Sequence, residues 1–124
     1  MIIDTSAIVA IIRKEPGFES FVKAIADAGE AYISSVNLLE CHMVLSAVPE
    51  RLEHLMEDGA IGVKDFSSVT ALLARIAFLR YGKGRHRARL NFGDCMAYAV
   101  AKTRRRKLLY KGDDFTYTDV DPAA

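Results

Sequence analysis

Short apolar runs alternate along this chain with longer stretches in which apolar residues recur every three or four positions. The runs are typical of buried strands, and the longer stretches predict amphipathic helices. Strands are predicted at 1–4, 31–35, 60–66 and 107–111, with a short fifth strand at 117–120. Helices are predicted near 6–15, 18–28, 36–47, 49–58, 68–79 and 92–104. Strands that alternate with helices predict an α/β fold, with a mostly parallel sheet covered on both faces.

The two long helices in the second half of the chain each carry one apolar face. The first of them begins at Ser67 or Ser68, and its apolar face consists of Val69, Leu72, Leu73, Ile76 and Leu79. The apolar face of the last helix consists of Phe92, Cys95, Met96, Ala99 and Val100. At the other end of the chain, Thr5 or Ser6 is predicted to cap the first helix.

The length and composition predict a single globular domain over residues 1–124. The chain is 51% hydrophobic and 27% charged, which argues against disorder. No apolar run is long enough to cross a bilayer, and the first residues lack the basic segment of a signal peptide. Cys41 and Cys95 have no metal-binding spacing and are expected to be free thiols. A cytoplasmic protein is therefore expected.

The near-neutral net charge of +1 conceals a strongly basic segment. Residues 75–111 hold twelve Lys and Arg against one acid, a net charge of +11, whereas the rest of the chain carries −10. Such a segment is typical of a protein that binds a polyanion. Within it, the run KTRRRK at 102–107 has two explanations, contact with RNA or complementing the dipole at a helix end.

Acidic residues stand where predicted strands end or helices begin. They are Asp4, Glu40, Asp94 and one of the neighbours Asp113 and Asp114. In an open α/β sheet the carboxyl ends of the strands converge on one edge, where ligands bind. Carboxylates brought together there raise one another's pKa unless a cation lies between them, and a hard divalent cation suits oxygen ligands. The pattern therefore predicts a metal site and phosphodiester chemistry.

Each of these acids also has a purely structural explanation. Asp4 can cap the first helix, and the two acids at 113 and 114 can form a turn. The spacings of Asn37 with Glu40 and of Asn91 with Asp94 both match a capping box. The joint pattern favours a site, because charges at the ends of buried strands are costly without compensation.

Four segments resemble the PIN-domain ribonucleases, in particular the VapC-type toxins of bacterial toxin–antitoxin pairs. They are MIIDTSAIVAII at the N-terminus, SSVNLLE, YGKGRHRARLNFGDCMAYAVAK, and LLYKGDDF near the end. The resemblance implies a three-layer α/β/α sandwich whose acids hold Mg²⁺ or Mn²⁺ and cut RNA. It also implies an antitoxin partner, a homodimer and a toxin–antitoxin hetero-oligomer.

Carried over to this sequence, the resemblance assigns a role to each acid. Asp4 and Asp94 match the principal metal ligands, and Glu40 matches the third acid. Asp114, directly before Phe115, matches the fourth acid, with Asp113 as the adjacent alternative. The catalytic set is thus Asp4, Glu40, Asp94 and Asp114, and Thr5 and Ser6 match the small hydroxyl residues that line the site.

The mechanism expected from these residues is hydrolysis assisted by one or two metal ions, with Glu40 or Asp114 accepting the proton of the attacking water. The glycine-containing loop before the last helix would contact RNA through Lys83, Arg85, Arg87 and Arg89. Tyr81 beside this loop is expected to be a packing residue rather than a platform for a base.

Two other classes of protein fit part of the pattern. One is a non-catalytic module that binds RNA or protein and whose acids hold a structural cation or none. The other is a phosphoacceptor of the response-regulator type, with Asp65 after a central third strand. The second leaves the basic loop without a role, and both rank below a nuclease.

Overall fold

A computed structural model describes all residues, 1–124. The strands are β1 (Ile2–Ile3), β2 (Ala31–Ser34), β3 (Ile61–Lys64) and β4 (Leu108–Leu109). The α-helices are α1 (Thr5–Ile12), α2 (Phe18–Asp27), α3 (Ser35–Val44), α4 (Pro49–Asp58), α5 (Ser68–Tyr81) and α6 (Phe92–Arg104). A 3₁₀ helix (Asp114–Tyr117) follows β4. No helix is both long and apolar enough to span a membrane.

The sheet is fully parallel, in the order β3-β2-β1-β4. Ile2 and Ile3 of the central strand β1 are both buried and belong to different hydrophobic clusters. Ile2 joins the cluster that contains α5 and α6, and Ile3 joins the one that contains α1 and α4. Because consecutive strand residues point to opposite faces, these clusters are the two sides of a three-layer sandwich. The predicted α/β/α class and parallel sheet are confirmed.

The predicted fifth strand at 117–120 is wrong. Tyr117 ends the 3₁₀ helix, and beyond it the chain makes only an isolated bridge between Pro122 and Leu108. The cause is local polar bonding: the Thr116 hydroxyl donates to the carbonyl of Asp113, and the Thr118 hydroxyl donates to that of Phe115. Threonine hydroxyls that satisfy nearby carbonyls favour turns over a strand ladder.

The predicted apolar face of α5 points mainly to solvent rather than to the core. Val69, Leu72, Ile76 and Leu79 are all exposed, and Leu72 retains 61% of its accessible surface. The buried face consists of Thr70, Ala74, Ala77 and Tyr81. Small residues on that face let α5 approach α6 closely, which leaves the larger apolar side chains outside. Phe92 at the start of α6 is also 75% exposed, unlike the rest of its predicted face.

Candidate active site

Asp4 lies where β1 ends and α1 begins, at the carboxyl edge of the sheet. Its side chain is only 2% exposed, and its Oδ2 accepts a hydrogen bond from the backbone N–H of Ser6 at 2.9 Å. Asp4 is thus the cap of α1, and the prediction that Thr5 or Ser6 caps this helix is wrong. An aspartate carboxylate caps the free N–H groups of a helix about as effectively as a serine or threonine hydroxyl. The hydroxyls of Thr5 and Ser6 are therefore available for other contacts.

Thr5 orients Glu40 across the cleft. The Thr5 hydroxyl donates to Glu40 Oε1 at 2.5 Å. The alternative explanation of Glu40 as part of a capping box with Asn37 is wrong, because Ser34 caps α3 by accepting from the N–H of Asn37. Helix α3 therefore begins earlier than that spacing suggested, and Glu40 lies in its second turn with its carboxylate directed to α1 rather than to its own backbone.

Asn37 holds the elements around Glu40 together, and sequence reasoning gave it no role at the site. It is fully buried; its side-chain amide N–H donates to the carbonyl of Gly93 at 3.1 Å, and its Oδ1 accepts from Ser34. The amide also lies 3.4 Å from the Thr5 hydroxyl. One side chain therefore joins α3 to α1 and α6. Its signal in the sequence is its spacing: Asn37 lies three residues before Glu40 and four before Cys41, so these side chains share one face of α3.

Asp94 belongs to a capping box and lines the same cleft. The Asn91 side chain accepts from the N–H of Asp94 at 2.9 Å, and Asp94 Oδ2 accepts from the N–H of Asn91 at 3.1 Å. The capping role predicted as the structural explanation of Asp94 is thus present. It does not exclude a second one, because a carboxylate oxygen that accepts one N–H keeps further lone pairs for a ligand.

The three acids Asp4, Glu40 and Asp94 line one cleft of about 470 Å³. Burial raises the pKa of Asp4 to about 7, hydrogen bonds from Ser6 oppose the rise, and the charges of Asp94 and Glu40 add to it. Burial likewise raises the pKa of Asp94 to about 6, with added repulsion from Asp114 and Glu40. The carboxylates therefore act on one another across the cleft, as the sequence pattern predicted.

Asp113 and Asp114 stand apart from this group. Both are exposed at the start of the 3₁₀ helix, and neither lines the cleft. Asp114 nevertheless lies near enough to raise the pKa of Asp94, whereas Asp113 occupies the N-cap position of the 3₁₀ helix without a capping hydrogen bond from its side chain. The predicted fourth acid thus lies at the rim, and the other three converge.

Comparison with known proteins assigns this arrangement to a family. The sequence model described as the PIN domain matches residues 1–121. The chain belongs to the PIN-domain family. The VapC ribonuclease Mb0625 of Mycobacterium bovis is 41% identical over 129 residues, with 99% of this chain and 97% of that protein covered. Ribonuclease VapC36 of Mycobacterium tuberculosis is 42% identical over 127 residues, covering 98% and 91%.

A solved structure shares the fold at lower sequence similarity. It is titled a toxin–antitoxin complex from Klebsiella pneumoniae, and it has a TM-score of 0.70 and 16% identity, covering 95% of this chain and 92% of that one. The resemblance to VapC-type PIN domains noted from the sequence is confirmed by these relatives at about 40% identity over nearly the whole chain.

The acids of this PIN domain fit a partly hydrated ion rather than a closed cage. No group of three His, Cys, Asp or Glu side chains is close enough to hold an ion by itself. Mg²⁺ usually takes one or two carboxylates, several waters and substrate phosphate oxygens. Asp4 and Asp94, whose pKa values are raised by burial and by the charges of neighbouring carboxylates, are the residues that would hold such an ion.

The basic loop of the PIN domain connects α5 to α6. Lys83, Arg85, Arg87 and Arg89 are all exposed, and none forms a salt bridge with an acid. The guanidinium of Arg87 lies 4.6 Å from the ring centroid of Tyr117 in the 3₁₀ helix. The loop therefore lies against the element that begins with Asp114, and it ends at Asn91, the cap of the helix that carries Asp94.

Tyr81 is a packing residue, as expected. It is 5% exposed and makes edge contacts with the rings of His86 and Tyr98, at centroid distances of 5.2 and 5.7 Å. An exposed aromatic residue that the loop does contact is Tyr117, 44% of whose surface is accessible. Sequence reasoning gave Tyr117 no role, because it was assigned to a strand.

The second basic cluster, at 104–107, lies at the opposite end of α6 from Asp94. This helix is 13 residues long, or roughly 20 Å at 1.5 Å per residue. Arg106 pairs with Glu30, and the carbonyl of Lys107 accepts from the N–H of Ile2 at the start of β1. The cluster is thus at the amino edge of the sheet, remote from the three acids.

The phosphoacceptor interpretation fails on topology. It requires an acid after a central third strand, but β3 is an edge strand of the sheet. Asp65, which follows it, is exposed and does not line the acidic cleft.

Proposed function

We propose that this PIN domain is a metal-dependent endoribonuclease that hydrolyses RNA phosphodiester bonds and acts as the toxin of a toxin–antitoxin pair. The observation that carries the proposal is the convergence of Asp4, Glu40 and Asp94, from three separate elements, on one cleft. The relatives named above as ribonucleases support RNA as the substrate. Four unpaired cations on the adjoining loop suit a polyanionic chain.

Each residue of the cleft has a distinct part in this proposal. Asp4 and Asp94 would hold Mg²⁺ or Mn²⁺. When bound, the ion supplies charge neutralisation at the phosphate and makes a water more acidic. Glu40, whose carboxylate accepts a hydrogen bond from the Thr5 hydroxyl, would accept the proton of the attacking water, and Asp114 would add negative charge from the rim.

Contact with RNA would fall to the loop that carries Lys83, Arg85, Arg87 and Arg89. Arginine binds phosphate oxygens through two parallel N–H bonds. The loop borders the cleft through Asn91 and borders the 3₁₀ helix through Arg87. A single strand that crosses this loop would therefore present its backbone to the three acids.

Two exposed apolar surfaces suit the protein partners of a toxin. The first, the groove beside the acids, is lined by Val36, Leu39, Met43, Val44 and Phe92 and also by Glu40. We assign it to the antitoxin, because a segment seated there would also cover a catalytic carboxylate. The second is the outer face of α5 described above, which we assign to a homodimer. Exposed apolar patches of this kind usually mark protein interfaces.

The compartment proposed for this enzyme is the cytoplasm. Cys41 and Cys95 are both buried free thiols, which is the form that cysteines keep in a reducing environment.

The test is cleavage of a structured RNA pool by purified protein in EDTA, in Mg²⁺ and in Mn²⁺, beside Asp4→Asn and Asp94→Asn. Asparagine keeps a side-chain oxygen for the N–H bonds of Asp4 and Asp94, so both variants should fold. We expect cutting only by the wild type and only with metal. RNA that is bound but never cut, with equal affinity for all three proteins, would favour a non-catalytic binding module.

A further inference from the structure

One basic residue lines the acidic cleft, and it has no part in the chemistry proposed for the three acids. Lys111 is two residues beyond β4, and its Nζ lies 2.7 Å from Glu15 Oε2. Both residues line the cleft that holds Asp4, Glu40 and Asp94. The cleft thus contains four carboxylates and a single ammonium group.

The backbone of Lys111 is fixed, and its side chain is held by a single ionic contact. Its N–H donates to the Ser6 hydroxyl at 2.9 Å, which attaches this point of the chain to the first turn of α1. Its side chain is 37% exposed and makes its one ionic contact with Glu15, which is 33% exposed. A flexible four-carbon stem on a fixed backbone lets the ammonium group exchange one anionic partner for another without moving the cleft.

A purely structural role explains this ion pair poorly. Partly exposed pairs contribute little to stability, and the hydrogen bond from the Lys111 N–H to the Ser6 hydroxyl already holds the segment in place. The pair instead keeps a cation at the mouth of a cleft that would otherwise repel a phosphate. An incoming phosphodiester carries the same negative charge as the Glu15 carboxylate.

Building on the ribonuclease function proposed above, we propose that Lys111 binds an RNA phosphate at the mouth of the cleft and that Glu15 holds its ammonium group until the phosphate replaces it. Lys111 is then a positioning residue for the substrate. Glu15 is a competitor of the substrate for that cation rather than a partner in the chemistry.

The test measures binding in the absence of cutting. The parent is the Asp94→Asn variant in EDTA, in which the RNA should stay intact, and the probe is a short fluorescein-labelled single-stranded RNA of mixed sequence. Fluorescence anisotropy at several salt concentrations gives the Kd and its salt dependence for Lys111→Gln, Glu15→Gln and Lys23→Gln. Lys23 is the matched control, because it pairs with Asp27 on α2 and does not line the cleft.

The expected effects of the two cleft variants have opposite signs. Lys111→Gln should raise the Kd about three- to tenfold. It should also make the fall of log K (the association constant) with log salt shallower by about 0.7, the value for one lost phosphate contact on a single strand. Glu15→Gln should lower the Kd, because the freed ammonium no longer has a competing partner. Lys23→Gln should leave both quantities close to those of the parent.

Two results would overturn the proposal. If Lys111→Gln and Glu15→Gln weaken binding alike, the pair is structural; if Lys111→Gln behaves like Lys23→Gln, Lys111 does not contact the backbone. Thermal unfolding of each variant confirms that it is folded. Cleavage by the wild type in Mg²⁺, measured in parallel, separates the two proposals: cutting without a Lys111 effect overturns only the role of Lys111, and no cutting overturns the ribonuclease itself.

Discussion

The carboxylate of Glu40 packs directly against the Cα of Gly93. A Cβ at position 93 would lie 2.4 Å from Oε2 and 2.7 Å from Oε1 of Glu40. The backbone carbonyl of Gly93 accepts from Asn37, one turn before Glu40 on α3. The Glu40 carboxylate can therefore lie against the first turn of α6, which carries Asp94, only because residue 93 has no side chain.

Gly93→Ala should displace Glu40 while leaving the fold intact. Alanine favours the helix over glycine by about 1 kcal/mol, which offsets part of the strain. We expect the cleavage rate to fall about ten- to hundredfold, as for displacements of a catalytic group by about 1 Å. The control is a double-mutant cycle with Glu40→Ala. If Gly93→Ala causes the same loss in that background, it does not act through Glu40.

The contacts between helices explain why the site was only partly predictable. Asp4 and Asp94 follow from local pattern, because a strand end and a capping box are both visible within a few residues. The roles of Asn37 and Gly93 depend on a contact across 56 positions of sequence, which no local pattern reveals. The parallel sheet was predictable for the same reason as the two acids, since alternating strands and helices are local features.

Helix α5 shows a second limit of sequence reasoning. Periodicity correctly located the helix but selected the wrong face as buried, because alanines can pack more closely than leucines against a neighbouring helix. The signal was present in Ala74 and Ala77, which are spaced to lie side by side on one face. Its outer apolar face is then free for another chain.

Leu72→Lys combined with Ile76→Lys should convert the proposed homodimer to a monomer. Both side chains are more than half exposed, and a buried interface does not tolerate two unpaired ammonium groups. Sedimentation or light scattering measures the mass. The matched control is Leu39→Lys with Met43→Lys, which alters the groove assigned to the antitoxin and should leave the dimer intact. Dissociation by the control pair but not by the α5 pair would reverse the two assignments.

The raised pKa of Asp4 predicts an unusual pH dependence of stability in metal-free protein. Its pKa rises from 3.8 to about 7 on folding. Between these values the folded state binds more protons than the unfolded chain, so the free energy of unfolding falls as the pH rises. The contribution is on the order of 4 kcal/mol, fully present below the lower value and lost above the upper one.

Urea unfolding in EDTA at about pH 5 and about pH 8 measures this effect. The loss of stability between the two should be smaller in Asp4→Asn, which keeps the cap of α1 without the charge. Added Mg²⁺ should stabilise the wild type more at the higher pH, where Asp4 is ionised. The same pH dependence in both proteins would show that Asp4 is not the titrating group.

The basic loop and the remote basic cluster should respond differently to mutation. Arg85→Ala with Arg87→Ala should weaken binding of a short single-stranded RNA and lower the salt slope by about 1.4, or about 0.7 for each lost phosphate contact. Arg104→Ala with Arg105→Ala removes the same charge at the opposite edge of the sheet and is the control. Equal losses in the two pairs would mean that RNA binding follows total charge and not the loop.

The measurement that tests the central claim most directly is the rate of RNA cleavage in Mg²⁺ by the wild type and by Asp94→Asn, with the ends of the products determined. If the acids act on a water through a metal ion, the wild type should cut, and the variant should lose at least about a hundredfold in rate. The products should then carry linear rather than cyclic phosphates. Equal cutting by Asp94→Asn would contradict the account by placing the chemistry outside the acidic cleft. Products with 2′,3′-cyclic ends would contradict it as well, because the ribose 2′-OH and not a water would then attack phosphorus.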